Sequence, residues 1–253
     1  MKVTFLGTGT SQGIPVVGSN HPVCLSTNKK DKRLRVSVLV EWNDYTYVVD
    51  CGPDFRYQML RAGVKRIDGI LFTHEHADHT AGLDDIRPFF FQQGDIPIYA
   101  HERVIKSLEK RFDYIFEIEN KYPGAPNVDI KRIENKPFQL KQLEVIPVNG
   151  FHNKLQVFGF RFRDFAYLTD MKTIEDEELE KLKGLKVLVV NALRHEPHVS
   201  HYNLEEALEL VKYLKPEKAY FTHISALLGF HDEVEKTLPE NVFLAYDELQ
   251  LTI

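Results

Sequence analysis

The chain of 253 residues has few cysteines, few methionines and no excess of positive charge. Its two cysteines, Cys24 and Cys51, are too few for the disulfide framework of a small secreted protein. A net charge of -5 gives no basic bias toward nucleic acid. No apolar run approaches the length that spans a membrane, and the apolar start at residues 1–9 is too short for a signal peptide. We therefore expect a cytoplasmic protein without a membrane partner, and we do not favour a nucleic-acid partner.

Hydrophobic residues, in contrast, make up 43% of the chain, which is ample for a large core and for a single domain over residues 1–253. Residues 34–42 and 45–49 predict a hairpin, because two apolar runs flank a turn pair. Helices are predicted at residues 54–62, 101–112, 174–182 and 203–214. The last strand is expected at residues 242–246. This alternation of strands and helices predicts a mixed α/β fold.

The most informative stretch is T-H-E-H-A-D-H at residues 73–79, which follows a short apolar run that predicts a buried strand. Neutral imidazole and carboxylate are the usual ligands of hydrolytic zinc. His74 and His76 alternate, so they point the same way if strand geometry continues. Asp78 and His79 lie in the following turn and reach a different point. The spacing favours two metal ions over the alternative of a solvated loop that is rich in histidine.

Partner residues follow later, each after a predicted strand. They are His152 after residues 143–148, Asp170 after residues 165–169 and His223 after residues 218–222. The first ion would be held by His74, His76 and His152, and the second by Asp78, His79 and His223. Asp170 can bridge them, because a carboxylate has two oxygens. Each distant residue alone is weak evidence, since Asp170 could instead cap a helix, but the joint pattern predicts a dinuclear site.

The chain resembles the metallo-β-lactamase superfamily in its H-x-H-x-D-H motif and in the later histidine, aspartate and histidine. These residues match in their order and in their positions at strand ends. The resemblance covers essentially the whole chain. It implies an αββα sandwich with two divalent ions at one edge, where a shared hydroxide would be the nucleophile. The ligand set accepts Zn²⁺, Mn²⁺ or Fe²⁺. His76 stands where related di-iron oxidoreductases have glutamate, so hydrolysis is favoured over redox chemistry.

Asp50 ends a predicted strand, and we expect its carboxylate to hold the free N–H of a ligand imidazole. The alternative is an aspartate that initiates the turn before Gly52-Pro53. His201 lies in a loop that follows the predicted strand at residues 187–190, on the same sheet edge as the ligands. We expect this loop to face the metal site.

The stretch H-Y-N-L-E-E-A at residues 201–207 and the F-T-H-I-S at residues 221–225 are similar to the phosphodiesterase branch of the superfamily. That branch includes tRNase Z and the phosphoribosyl cyclic phosphate phosphodiesterases of phosphonate breakdown. There, a histidine just before this helix contacts phosphate and protonates the leaving oxygen. The resemblance implies that role for His201, against the alternative of an exposed loop histidine.

Four functions stay open at this point. The first is hydrolysis of a small phosphodiester, cyclic or linear, with Asp78 and His201 as catalytic residues. The second is tRNA 3′ processing, against which stand the acidic net charge and the lack of a basic arm. The third is hydrolysis of thioesters or lactones. The fourth is a metal-stabilised protein without turnover, against which the complete ligand set argues.

The phosphonate-pathway enzymes of this branch carry an additional structural zinc on a G-C-x-C-x-x-C stretch and a histidine after H-I-S. Here the matching stretch is G-S-N-H-P-V-C at residues 18–24, and Ala226 follows Ser225. We predict that no third zinc binds tightly near Cys24, because His21 and Cys24 cannot complete a tetrahedral shell alone. Anomalous scattering from crystals of the zinc-loaded protein is the measurement. A four-coordinate metal on Cys24 would contradict the prediction.

Overall fold

Two seven-stranded β-sheets pack against each other in the computed structural model, which describes residues 1–253. The strands are β1 (Lys2–Gly7), β2 (Ser37–Trp42), β3 (Tyr45–Val49), β4 (Gly69–Leu71), β5 (Ile96–Ala100), β6 (Val128–Arg132), β7 (Phe138–Leu140), β8 (Leu143–His152), β9 (Leu155–Phe162), β10 (Phe165–Tyr167), β11 (Val187–Asn191), β12 (Lys218–Thr222), β13 (Val242–Leu244) and β14 (Gln250–Thr252). The first sheet has the order β14-β1-β2-β3-β4-β5-β6, and the second has the order β13-β12-β11-β10-β9-β8-β7.

Nine helices surround the sheets. They are α1 (Pro22–Leu25), α2 (Phe55–Ala62), α3 (Ala77–Thr80), α4 (Arg87–Gln93), α5 (Glu102–Arg111), α6 (Asp113–Phe116), α7 (Asp176–Glu180), α8 (Leu204–Leu214) and α9 (His231–Glu235). Short 3-10 turns lie at Lys29–Asp31, Leu83–Ile86 and Ala226–Leu228. None of the helices has both the length and the apolar character that a membrane crossing requires.

The alternation of side chains along the strands creates three apolar layers. Val38 and Val40 of β2 point into the layer between the two sheets, whereas Leu39 points into the layer under α2 and α5. In the second sheet Val189 faces the central layer and Leu188 faces the helix α8. Helices therefore cover the outer face of each sheet, and the predicted αββα sandwich is confirmed.

The two sheets repeat one topology. From β2 to β6 the first pair is antiparallel and the next three pairs are parallel, and the same sequence of pairings runs from β9 to β13. A two-fold repeat is thus present in the strand order. It brings the carboxyl ends of β3, β4, β10 and β12 to the edge where the predicted ligands lie.

Local predictions hold well where turn and capping signals are strong. The hairpin of β2 and β3 forms at Asn43, and α2 ends at Gly63 in the left-handed conformation. The helix α8 starts at Asn203, whose side chain forms a capping box with Glu206. The helix predicted at residues 174–182 is shorter, since only Asp176–Glu180 is helical.

Three predicted strand ends are wrong, and the strand expected at residues 165–169 already ends at Tyr167. The strand expected at residues 143–148 continues to His152, because its backbone keeps pairing with β9 as far as the pair His152 and Leu155. His152 therefore sits at the tip of a long hairpin and not in a loop after a strand. The strand expected at residues 242–246 stops at Leu244, and the chain then crosses to the first sheet, where β14 pairs with β1.

Candidate metal centre

The H-x-H-x-D-H stretch leaves the first sheet as a loop and then a single helical turn. Because β4 ends at Leu71, strand alternation does not extend to His76, contrary to the expectation from the sequence. The loop nevertheless brings His74 and His76 together, with ring centroids 4.6 Å apart. The turn of α3 directs Asp78 and His79 to a second point. His74 is fully buried, whereas His76 is exposed.

One group of ligand atoms is formed by Asp78, His79, Asp170 and His223. The Nε2 atom of His79 lies 3.1 Å from Asp170 Oδ2 and 3.3 Å from Asp78 Oδ2. The Nε2 atom of His223 lies 3.1 Å from Asp170 Oδ1. Neither Nε2 atom has a hydrogen-bond partner, although both are buried. Ligands about 2.1 Å from a tetrahedral zinc stand about 3.4 Å apart, so these spacings fit a shared cation.

The second group consists of the rings of His74, His76 and His152. Their centroids are 4.6 to 5.9 Å apart. The Nδ1 atom of His152 donates to the carbonyl of Ser200 at 2.8 Å, which leaves its Nε2 available. The Nε2 atom of His74 is buried without a partner. The structure thus brings together all seven residues that the sequence singled out, in two adjacent groups.

Behind these ligands lies Asp50, whose carboxylate is completely buried. It accepts from the backbone N–H and the hydroxyl of Thr73 and, at 2.7 Å, from His79 Nδ1. The Thr73 hydroxyl in turn accepts from His74 Nδ1 at 3.0 Å. Burial raises the pKa of Asp50, and these hydrogen bonds oppose that effect. One carboxylate therefore orients two ligand imidazoles, one directly and one through Thr73.

The carboxylates of the first group are anionic at neutral pH. Burial disfavours the charge of Asp170, but the nearby His223 and His79 hold its pKa well below the usual range. The same histidines lower the pKa of Asp78 against the effect of burial. Burial also opposes the charge of His223, yet Asp170 and Asp78 raise its pKa to about 9. Bound cations would replace the protons that now compensate these carboxylates.

His201 lies directly against this centre. Its ring stacks on His223 with centroids 4.7 Å apart, and it contacts the ring of His152 at 4.4 Å. Its Nδ1 atom is 3.8 Å from Asp170 Oδ1, so its position also permits metal binding together with His152 and Asp170. Burial lowers the pKa of His201 to about 2. The imidazole is therefore neutral, with an N–H to donate. His198 is its outer neighbour, at 5.1 Å.

Backbone geometry marks the same positions. Asp50, Asp170 and His223 have φ angles of 65°, 57° and 56°, in the left-handed region that residues other than glycine seldom adopt. Each of them follows the last residues of a strand, and the left-handed turn redirects its side chain across the sheet edge. Such conformations cost free energy and persist where the surrounding structure holds them, which is frequent at functional sites.

Two contributors to the site are missed by the sequence reasoning. Thr73 connects His74 to Asp50, and a hydroxyl directly before the motif was the available signal. The carbonyl of Ser200 orients His152, and no side-chain pattern could reveal a backbone acceptor.

Comparison with known proteins gives a consistent set of relatives. The family model described as "Beta-lactamase superfamily domain" matches residues 45–224. A solved structure described as a new diphosphatase from the PhnP family is 39% identical, has a TM-score of 0.93 and covers 100% of this chain and 97% of that one. A ribonuclease Z from Anoxybacillus flavithermus is 26% identical over 98% of this chain and 96% of its own length.

A curated protein from Porphyromonas gingivalis named octanoyltransferase is 37% identical over 256 residues. The match covers 100% of this chain but only 52% of that relative. The chain therefore spans about half the length of this relative.

The geometry around Asp50 generates a testable prediction. In Asp50→Asn an N–H donor would face the donors of His79 and Thr73, so both ligand imidazoles would lose their orientation. We expect metal affinity to fall by about 10–100-fold, the usual effect of removing such a partner. Competition with a chromophoric chelator at fixed pH measures it. Asp44→Asn, in an exposed turn, is the control, and unchanged affinity in Asp50→Asn would contradict the prediction.

Proposed function

Since the chain belongs to the beta-lactamase superfamily, as the family model and a full-length relative establish, we propose that it is a dinuclear metal-dependent phosphodiesterase that acts on a small phosphodiester. The observation that carries the proposal is the likeness to the PhnP-family diphosphatase, which extends over the whole chain at 39% identity. A small anionic substrate also suits a chain with a net charge of -5, which has no net positive charge to attract a polyanion.

The donor set suits the proposed ions. Imidazole and carboxylate without thiolate accept Zn²⁺ or Mn²⁺, which we favour, and also Fe²⁺. The buried Nε2 atoms of His74, His79 and His223 lack hydrogen-bond partners, and such atoms are costly unless a ligand satisfies them. When bound, two divalent ions supply Lewis acidity and a water of lowered pKa at neutral pH.

Two side chains of the protein would take part in the reaction beside the ions. Asp78, whose side chain is 12% exposed, can accept a hydrogen bond from the attacking water and so orient it. His201 is neutral and donates its N–H to a phosphate oxygen. An anionic phosphate beside it raises its pKa again, which lets it protonate the leaving oxygen. We assign these catalytic roles because Asp78 is the partly exposed residue of the ligand group and His201 lies directly against the centre.

Two other activities receive less support. The full-length ribonuclease Z relative favours RNA cleavage as the second candidate, but the acidic net charge argues against a grip on tRNA. For acyl transfer, as in the name of the octanoyltransferase, the chain offers no thiol nucleophile at the site. Cys24 and Cys51 are both buried, and burial raises the pKa of Cys51 well above its usual range.

The unpaired state of both cysteines also supports the proposed cytoplasmic location.

A substrate panel tests the proposal. Protein purified without chelator and reconstituted with Mn²⁺ or Zn²⁺ should bind about two ions per chain. It should hydrolyse bis(p-nitrophenyl) phosphate or a cyclic phosphodiester, and it should leave phosphomonoesters, thioesters and precursor tRNA largely intact. The variant His79→Ala is the control for contaminating activity, because it lacks a ligand. Robust thioesterase or tRNA-cleaving activity without small-phosphodiester hydrolysis would overturn the proposal, as would metal content near zero after reconstitution.

His201 permits a sharper prediction. His201→Ala should keep both metal ions and lower kcat by about 10²–10⁴, the usual contribution of a positioned acid. The loss should shrink for p-nitrophenyl esters, because their leaving group needs little protonation. His195→Ala, an exposed histidine of the same loop, is the matched control and should retain activity. Full activity of His201→Ala on a substrate with a poor leaving group would contradict the role, and metal loss would make His201 a ligand instead.

A further inference from the structure

The helix α5 approaches the metal-binding loop from outside and presents an arginine to it. The guanidinium of Arg103, on the first turn of α5, donates to the carboxylate of Glu75, which stands between His74 and His76 in the motif. The same guanidinium donates through its other nitrogen to the backbone carbonyl of Gln156 on β9. One side chain thus connects two segments that lie far apart in the sequence.

The second segment leads to the third histidine of the group. Gln156 pairs with Phe151 in the hairpin of β8 and β9, and the next pair is His152 with Leu155. Arg103 therefore bonds one residue pair away from His152 on one side and to the residue that precedes His76 on the other. It thus connects the two segments that carry the rings of His76 and His152, whose centroids are 5.1 Å apart.

A second arginine strengthens the attachment of the loop. Arg111, also on α5, donates to the carbonyl of Glu75 at 3.0 Å and to the hydroxyl of Thr80 at 2.8 Å. The Thr80 hydroxyl donates in turn to the carbonyl of His76 at 2.7 Å. The backbone on both sides of His76 is thereby held to one helix.

The ring of His76 needs this support more than its neighbours do. The ring of His74 donates to Thr73, and the ring of His152 donates to Ser200. The ring of His76 makes no hydrogen bond within the chain and is exposed. Its direction depends on the backbone of the loop, and that backbone is what the arginines of α5 hold.

We propose that Arg103 is a positioning residue for one of the two ions, because it fixes the loop of His76 against the hairpin of His152. The inference rests on the proposed metal centre. Arginine suits the task, since its planar fork donates in two directions at once, whereas a lysine ammonium cannot span both acceptors with the same geometry. The guanidinium makes no hydrogen bond with Asp78, His79, Asp170 or His223, so the ion that this group would hold should depend less on Arg103.

The test compares the affinities of the two ions. Arg103→Met removes the charge at similar length, Arg103→Lys keeps the charge, and Glu75→Gln weakens the same contact from the other side. Arg132→Met is the matched control, because Arg132 pairs with Glu102 on the same helix at 2.7 Å but faces solvent. Stepwise removal of Co²⁺ or Zn²⁺ by a chromophoric chelator yields both affinities. Thermal unfolding of the metal-free variants shows whether they fold.

We expect Arg103→Met to lower the affinity for one ion, the one that His74, His76 and His152 would hold, by about 10–100-fold. The affinity for the other ion should fall by less than about 3-fold. Arg103→Lys should lie between Arg103→Met and the unchanged protein. The double variant of Arg103→Met and Glu75→Gln should lose little more than Arg103→Met alone, because both changes break one contact. Should Arg103→Met fail to fold, Glu75→Gln gives the same comparison of affinities.

Equal weakening of both ions, or no weakening of either, would overturn the role of Arg103. A wild-type protein that binds no metal would instead refute the proposed function itself. The two failures are thus distinguishable by the first measurement on the unchanged protein.

Discussion

The hydrogen bonds of one buried carboxylate connect the fold to the metal centre. Asp50 lies at the end of β3, where no water reaches it, and a buried carboxylate is costly unless hydrogen bonds satisfy it. The Thr73 backbone N–H, the Thr73 hydroxyl and His79 Nδ1 supply those bonds. They can do so only if the loop after β4 folds back over the end of β3. The need to satisfy Asp50 therefore fixes the loop, and the loop carries the first four ligands.

The repeated topology of the sheets explains why a second aspartate takes a different role. Asp50 follows β3 and Asp170 follows β10, which occupy equivalent places in the two sheets, and both residues have left-handed φ angles. Asp50 is enclosed by donors from its own sheet. Asp170 instead faces His79 from the first sheet and His223 from the second. The same left-handed backbone conformation thus places the Asp50 carboxylate behind the predicted ligands and the Asp170 carboxylate among them.

The sequence predicts the site better than it predicts the strands that bear it. That the fold would bring these seven residues together follows from residue type and order, because few patterns combine a clustered motif with distant histidines and an aspartate. The full length of β8 does not follow, since Asn149 and Gly150 read as a strand end, whereas the pairing with β9 continues past them. The crossing of β14 to the first sheet is equally hidden, because it depends on a partner strand at the opposite end of the chain.

Contacts made by charged residues on helix surfaces are the least predictable of all. Arg103 belongs to a strongly charged helix whose pattern alone predicts a solvated face. Its partners are Glu75, which stands at an x position of the H-x-H-x-D-H motif, and a backbone carbonyl without any sequence signal. What the sequence does contain is the pair of opposite charges, an arginine and a glutamate. A partly buried carboxylate such as that of Glu75 needs a compensating partner. Such a pairing becomes informative only when the fold shows which helix passes over the loop.

The distribution of charge argues for a small anion as the substrate. Asp78 and Asp170 would offset two of the four positive charges of two divalent ions, and the buried Asp50 behind them would offset a third, so positive charge would remain to attract phosphate. Around it the neutral His201 adds a hydrogen-bond donor without adding charge. The chain as a whole is acidic, with a net charge of -5, which disfavours the further phosphates of a long nucleic acid within a Debye length of about 8 Å. A positive centre in an acidic protein thus favours a substrate whose charge is confined to the bond that is cleaved.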